Sequence, residues 1–234
     1  MLTCIEAGGS GAQTVRFPGE GEPLIANGVH CEPASTLLLA VPGIIDRGRV
    51  TASNLGWIAA DPAAELGCPA PAALVMNDAE AAALGESVLR GGRDLVLLSV
   101  GTGVGGAVVV DGAVIGANLF GHAGGFSDRT CSCGGRGCLE TVAAGWALPD
   151  PLSPDAAVAV AAALAQAVER EDLATPDLVV ISGGLARRHP QLVKELARCL
   201  PRRSVEASLA PDGAKSAAAW GLAHAALEAG IARS

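Results

Sequence analysis

The chain has no tyrosine, and its few Phe and Trp bring aromatics to only 3% of 234 residues. So few flat rings leave little to stack on the bases of a single strand or on the faces of sugars. No apolar run approaches the eighteen or more residues that span a bilayer, and the N-terminus lacks a basic stretch followed by a long apolar core. A transmembrane helix and a secretion signal are therefore not expected, and the expected setting is cytoplasmic, without a membrane partner. Charge is also scarce, at 17% of residues, and it is mostly acidic, for a net charge of −8. That balance argues against nucleic acid as the main partner, and Arg202-Arg203 is too short a basic run to reverse it. Half of the residues are hydrophobic and mean hydropathy is +0.40, which provides a sizeable core and excludes global disorder. This length suits one large domain or two small lobes.

Short apolar segments punctuated by turn residues set the organisation. Strands are expected over 1–7, 12–17, 22–26 and 36–41, separated by Pro18-Gly19 and Asn27-Gly28 and stopped by Pro42-Gly43. A strand at 74–76 leads into Asn77-Asp78, after which 79–89, rich in Ala, Leu and Glu, reads as a helix. A strand at 95–100 is followed by strands at 107–110 and 113–115, which pair across Asp111-Gly112. Ser153 as N-cap and Pro154 at the first helical position open a helix running to about Glu171. A strand at 178–181 and helices at 191–200 and 213–229 complete the chain, with no internal repeat beyond an alanine bias. Strands alternating with helices argue an α/β architecture.

The most informative stretch is Cys131-Ser-Cys133-Gly-Gly-Arg-Gly-Cys138-Leu-Glu140. Three thiols fall within eight positions, and the intervening glycines let the backbone turn tightly enough to aim them inward. Zinc favours tetrahedral sulfur and nitrogen ligands, so three thiolates need one more donor, and His122 is the nearest imidazole. The plain alternative is three unligated thiols. A metal held by four protein ligands is structural, since no position is left for substrate. The remaining cysteines, Cys4, Cys31, Cys68 and Cys199, are scattered and read as small buried hydrophobes. Trp57 and Trp146 read as core or hinge packing, and His224 as a packed surface histidine.

Glycine turns follow three of the expected strands: Gly8-Gly9-Ser10-Gly11, Gly101-Thr102-Gly103-Val104-Gly105-Gly106, and Ser182-Gly183-Gly184. Glycine at a strand end lets phosphate oxygens approach backbone N–H groups, and three such turns point to a nucleotide cleft. None fits the Walker pattern or the dinucleotide fingerprint. Asp78 sits between a strand and a helix. It reads either as a helix N-cap or as the carboxylate that accepts a hydroxyl proton during phosphoryl transfer.

Together these pieces resemble the ROK family of bacterial sugar kinases and repressors, within the actin-like ATPase superfamily. The resemblance runs nearly end to end: Val41-Pro42-Gly43-Ile44-Ile45-Asp46, Asn54-Leu55-Gly56-Trp57, Asn77-Asp78-Ala79-Glu80, the glycine run 101–106, the cysteine knuckle 131–140, and Ile181-Ser182-Gly183-Gly184. It implies a two-lobed actin-like (ribonuclease H-like) α/β fold with a zinc-bound loop and ATP between the lobes. The small lobe would be 1–88, with a C-terminal helix at about 214–232 packed on it, and the large lobe 89–213. It makes Asp78 the general base, and it makes Gly43, Asn77, His122 and Glu140 contacts for a small-molecule sugar. Gly8, Gly9, Ser10, Gly101, Thr102, Gly103, Gly183 and Gly184 become contacts for ATP and Mg²⁺, Cys131, Cys133, Cys138 and His122 hold structural Zn²⁺, and the assembly is a homodimer.

Four departures from the family pattern stand out. Glu6-Ala7-Gly8-Gly9-Ser10 replaces the usual Asp-x-Gly-Gly-Thr, keeping charge and hydroxyl but reaching one methylene further. The family's helix before the strand at Thr36 has no room in 29–35, so the small lobe is trimmed and Met1 stands unusually close to the first strand. In Phe120-Gly121-His122-Ala123-Gly124-Gly125, His122 stands either where the family has its sugar-binding Glu or as the zinc ligand itself. The first alignment resembles the N-acetylmannosamine kinase branch and puts Gly125 at the zinc position. The second leaves that Glu without a counterpart, with Asp128 as the fallback ligand. Finally, no helix-turn-helix precedes the core, which points away from the repressor branch. The expected activity is ATP-dependent phosphorylation of a hexose, amino sugar or related cyclitol. The alternative is a catalytically degenerate sugar-binding or regulatory member.

Overall fold

The structure is a computed structural model that describes residues 1–9, 11–18, 21–117, 120–170, 176–210 and 216–231. The chain divides into two compact units, Met1–Gly91 with Leu209–Ser234, and Gly92–Ser208. Each unit carries its own five-stranded sheet.

In the first unit, β1 (Leu2–Gly8) and β2 (Gly11–Phe17) form a hairpin with Gly8 opposite Gly11, and β3 (Leu24–Asn27) extends it. β4 (Thr36–Val41) lies parallel to β1. A small antiparallel sheet follows, made of β5 (Ile44–Asp46), β6 (Arg49–Ala52) and β7 (Trp57–Ala60). After the one-turn helix α1 (Pro62–Glu65), β8 (Leu74–Asn77) pairs parallel with β4 and leads into α2 (Asp78–Leu89). The main sheet order is β3-β2-β1-β4-β8. From Leu37 onward β4 is buried at every position, the near-continuous apolar run of a strand covered on both faces.

One face of this sheet, with Cys4, Val15, Leu38 and Ala40, packs with α2 and with the C-terminal helix Ala217–Glu228. The two helices meet at Gly85 and Gly221. A Cβ at Gly85 would lie 1.7 Å from the Ala217 carbonyl oxygen, and one at Gly221 would lie 1.9 Å from that of Ala81. Only glycine allows the backbones this close.

The opposite face, with Ile5, Ala7, Leu37, Leu39 and Val41, is covered without a helix from the β3–β4 connection. Segment 28–35 instead crosses it as a strap. The Gly28 N–H donates to the Ala12 carbonyl (2.8 Å) and the His30 N–H to Thr14 Oγ1 (3.0 Å). Glu32 pairs with Arg16, and Thr3 Oγ1 donates to Ser35 Oγ (2.7 Å). Cys31 in the strap is disulfide-bonded to Cys68, just past α1. Reading these two as unconnected hydrophobes is therefore corrected. The strap carries Cys31 over the same face that α1 covers, so the two thiols meet across a sequence separation of 37. Cys199, also expected inside, is exposed at the end of its helix, whereas Cys4 is buried.

In the second unit, β9 (Leu95–Val100) and β10 (Val104–Val110) form a hairpin, and β11 (Ala113–Ala117) follows across Asp111-Gly112. The chain continues through α3 (Glu140–Ala143) and α4 (Pro154–Arg170) to β12 (Leu178–Ser182), parallel to β9. After α5 (Gly183–Arg188) and α6 (Gln191–Cys199), β13 (Ser204–Ala207) pairs parallel with β12. Ser153 Oγ accepts the Ala156 N–H at 3.2 Å, which fixes the start of α4. Ala157, Val160, Ala161, Leu164 and Val168 form the buried stripe of α4, three and four residues apart.

The order β11-β10-β9-β12-β13 repeats the topology of the first sheet, three antiparallel strands followed by two parallel ones, although no sequence repeat announces it. β10 begins at Val104, three residues before the expected strand. Glu171 and Gly213, the expected limits of two helices, lie outside the described residues. Among the described residues no helix is long and apolar enough to cross a membrane.

Candidate active site and metal centre

In the first unit the candidate residues gather where β8 passes into α2, at the carboxyl end of a parallel strand, where open α/β sheets hold their ligands. The N-cap is Asn77. Its Oδ1 accepts the Ala79 and Glu80 N–H groups at 2.9 and 3.3 Å. Asp78 is the first helical residue, so reading it as the cap is corrected. The extended backbone of Asn77, with φ −64° and ψ 142°, places the capping geometry one residue earlier. Asn77 Nδ2 also donates to the Gly43 carbonyl at 3.2 Å, tying Gly43 to this turn. Gly43 has φ +99°, and a Cβ there would lie 2.3 Å from the Thr51 carbonyl oxygen. Buried Asn77 thus spends its amide on local positioning.

Asp78 remains half-buried, its Oδ1 accepting the adjacent Ala79 N–H at 2.9 Å. Withdrawal from water pushes its carboxyl up to about 6; the Ala79 amide opposes that rise and the Glu6 charge adds to it. Glu6, near the end of β1, accepts a hydrogen bond from the Ser216 hydroxyl, just before the C-terminal helix. Gly8 and Gly9 stand at the β1–β2 turn, and Ser10 lies outside the described residues.

In the second unit Gly101-Thr102-Gly103 is the turn between β9 and β10, closed by the Gly101 N–H donating to the Gly103 carbonyl at 2.9 Å. Gly183-Gly184 follows the neighbouring parallel strand β12. Gly183 has φ +92°, and a Cβ there would lie 2.5 Å from the Val100 carbonyl oxygen, so this turn closes onto the end of β9 only as glycine. The two turns share one sheet end, where Thr102 is exposed. That arrangement offers N–H groups to an anion. A shallow depression lined by Arg93, Asp94, Pro176 and Asp177 lies at the opposite end of the same strands and is separate from them.

The ligand atoms of His122, Cys131, Cys133 and Cys138 lie within 4.8 Å of one another. Cys131 Sγ is 3.8 Å from His122 Nδ1, and Cys133 Sγ is 3.6 Å from Cys138 Sγ. Zn–S bonds of about 2.3 Å in a regular tetrahedron place sulfurs about 3.8 Å apart, so the donor set and its spacing fit zinc. The Gly135 N–H pulls the Cys133 thiol down, whereas burial pushes that of Cys138 up to about 12. A bound dication would favour the thiolate at all three. Asp128, the fallback ligand, is outside the cluster, with a fully exposed side chain that faces Arg136. Gly125 lies beside the Arg170 guanidinium.

Glu140 is buried, and its Oε1 accepts the Val104 N–H at 2.8 Å. The roles of Ser216, Gly121 and Gly145, which contact these groups, went unread in the sequence. Trp146, expected in packing, is 45% exposed, with the Arg129 guanidinium 5.6 Å from its ring centre; it is the middle residue of the one-turn helix Gly145–Ala147. Trp57 is half-buried against the core below β5–β7.

The sequence profile of the ROK family matches residues 29–173. An N-acetylmannosamine kinase of Escherichia coli O6:H1 is 36% identical over 128 residues, 49% of this chain and 44% of that protein. The kanosamine kinase of Amycolatopsis mediterranei is 31% identical over 203 residues, 70% of this chain and 66% of that protein. The chain therefore spans less than half the length of the first of these relatives in the matched region. Among solved structures, a ROK family glucokinase from Streptomyces griseus, in complex with glucose and AMPPNP, superposes with a TM-score of 0.74 at 19% identity, covering 97% of this chain and 99% of that one. At that identity the likeness establishes the fold, that of the actin-like ATPases.

Proposed function

The chain belongs to the ROK family, and from that premise we propose that it is an ATP-dependent kinase acting on a hydroxyl of a hexose, an amino sugar or a related cyclitol. The observation that carries this reading is Asp78. Its carboxylate stands at the carboxyl end of β8, relieved of capping by Asn77 and raised to about 6. A general base works best with a pKa near the operating pH. In the reaction the sugar hydroxyl oxygen bonds to the γ-phosphorus and the bond from that phosphorus to the β-phosphate oxygen breaks. The hydroxyl proton passes to Asp78, and ADP leaves. Positioning and electrostatics carry most of this chemistry, and Mg²⁺ neutralises the phosphate charge when bound.

The turns Gly101–Gly103 and Gly183–Gly184 supply backbone N–H donors for the nucleotide, with Gly8 and Gly9 assigned the same task in the first unit. Asn77 holds the Gly43 segment and the Asp78 helix in register for the sugar. Zinc at His122, Cys131, Cys133 and Cys138 is structural. His122 is assigned to the metal, because its Nδ1 faces Cys131 Sγ. The relatives named for N-acetylmannosamine and kanosamine make amino sugars the first acceptors to try. A cytoplasmic homodimer completes the reading.

A second reading, a sugar-binding or regulatory member without turnover, draws on the Glu6–Ser216 bond and on the strap that stands where the family pattern has a helix. ADP release over a panel of hexoses and amino sugars with Mg-ATP separates the two. Turnover with at least one acceptor supports the kinase. A thermal shift with a sugar but no turnover with any acceptor supports the binding protein.

A further inference from the structure

Glu140 opens α3 two residues after Cys138, and it touches both the metal-ligand loop and the glycine turn that follows β9. Its Oε1 accepts the N–H of Val104, the first residue after that turn, at 2.8 Å. Its Oε2 lies 3.9 Å from Cys131 Sγ. The approach is possible because position 103 is glycine: a Cβ there would lie 2.5 Å from Oε1. The Glu140 N–H is also fixed, donating at 3.0 Å to the carbonyl of Gly121, the neighbour of His122. Gly121 in turn lies so close to Val104 that a Cβ on it would sit 1.9 Å from the Val104 carbonyl oxygen. Five residues further on, the Gly145 N–H donates at 2.8 Å to the carbonyl of Gly101, the other end of the turn. Segment 140–145 therefore grips the turn at both ends, and the start of that segment is set by a cysteine of the metal cluster.

We propose that Glu140 is a positioning residue that clamps the glycine turn 101–103 to the metal-bearing loop, so that metal occupancy sets the shape of the turn and with it the affinity for nucleotide. The nucleotide part rests on the kinase reading above; the clamp itself does not. A buried carboxylate bonded to a backbone N–H is a strong, charge-assisted contact, and removing it leaves that N–H unpaired away from water. Glu140→Gln keeps a side-chain oxygen for the Val104 N–H, whereas Glu140→Ala does not. A residue serving sugar alone would alter sugar affinity and leave the turn and the nucleotide untouched.

The test is hydrogen exchange at the Val104 amide, read together with zinc content and ADP affinity, on the metal-loaded protein, the chelator-treated protein and three variants. Glu140→Ala should speed Val104 exchange and weaken ADP binding by about 10-fold each, the scale of one lost buried hydrogen bond. Glu140→Gln should stay within about 3-fold of wild type in both, as the conservative replacement. Chelation should reproduce the Glu140→Ala exchange pattern. Gly103→Ala, whose added methyl displaces Oε1, gives the same reading should Glu140→Ala fail to fold. Unchanged Val104 exchange in Gly103→Ala and after chelation would overturn the clamp. Val104 exchange that responds as expected in a protein that binds no ADP would uphold the clamp and count against the kinase reading alone.

Discussion

The Glu6 carboxylate accepts a hydrogen bond from the Ser216 hydroxyl, joining the end of β1 to the residue before the C-terminal helix across 210 positions of sequence. The family pattern has Asp where this chain has Glu6, and the extra methylene is the reach this contact uses. Ser216→Ala should lower unfolding stability by about 1.5–3 kcal/mol, the range for a hydrogen bond to a charged group. Glu6→Asp should cost a similar amount by falling short of the hydroxyl. Urea denaturation of the two single variants and the double variant measures the coupling. Strict additivity would mean that the bond contributes nothing.

Asp78→Asn should lower turnover by about 10²-fold or more, the usual scale for a general base, while nucleotide binding persists. Since the base must be ionised, kcat/KM in the wild type should rise with pH through about 6 and then level off. The sign for stability is opposite. A carboxyl raised from 3.8 to about 6 retains a proton that the unfolded chain has already released, so its contribution falls as pH rises across that window. The Tm of Asp78→Asn relative to wild type should therefore increase from pH 4 to pH 7.5. Wild-type turnover in Asp78→Asn would remove Asp78 from the mechanism.

Zinc should co-purify at one equivalent per chain, measured by elemental analysis. His122→Ala and Cys133→Ser should lose most of it and melt at lower temperature, because structural zinc contributes directly to folding. Asp128→Ala should keep it, since that side chain points into solvent beside Arg136. Retention of full zinc by His122→Ala would return the fourth position to another donor.

Cys68→Ser should destabilise the first unit by about 3–4 kcal/mol, from the chain entropy released when a loop of this length is opened. Reduction should produce the same loss in the wild type and none in Cys68→Ser. Peptide mapping after alkylation checks that positions 31 and 68 are protected in the oxidised protein. Free thiols at both would refute the tie.

Features governed by neighbours in sequence were legible in the chain itself. The apolar runs of β4 and β9, the Ser153-Pro154 start of α4, the Asp111-Gly112 hairpin and the spacing of Cys131, Cys133 and Cys138 each follow from local propensity, turn chemistry or thiol spacing. Short elements such as β5–β7, α3 and β13, of three or four residues, escaped because so few positions carry no period. Other features depended on distant partners. Which of Asn77 and Asp78 caps α2 is set by a one-residue difference in backbone angle, held by the Gly43 carbonyl 34 positions away. The Cys31–Cys68 bond exists because a strap without a helix crosses the face that α1 also covers. The acceptor of the Val104 N–H is a carboxylate 36 residues on. Sequence fixes how a short segment can bend and which face it can bury. The pairing of separated segments is decided by packing, because a buried donor, thiol or charge takes whichever partner the folded sheets bring within reach.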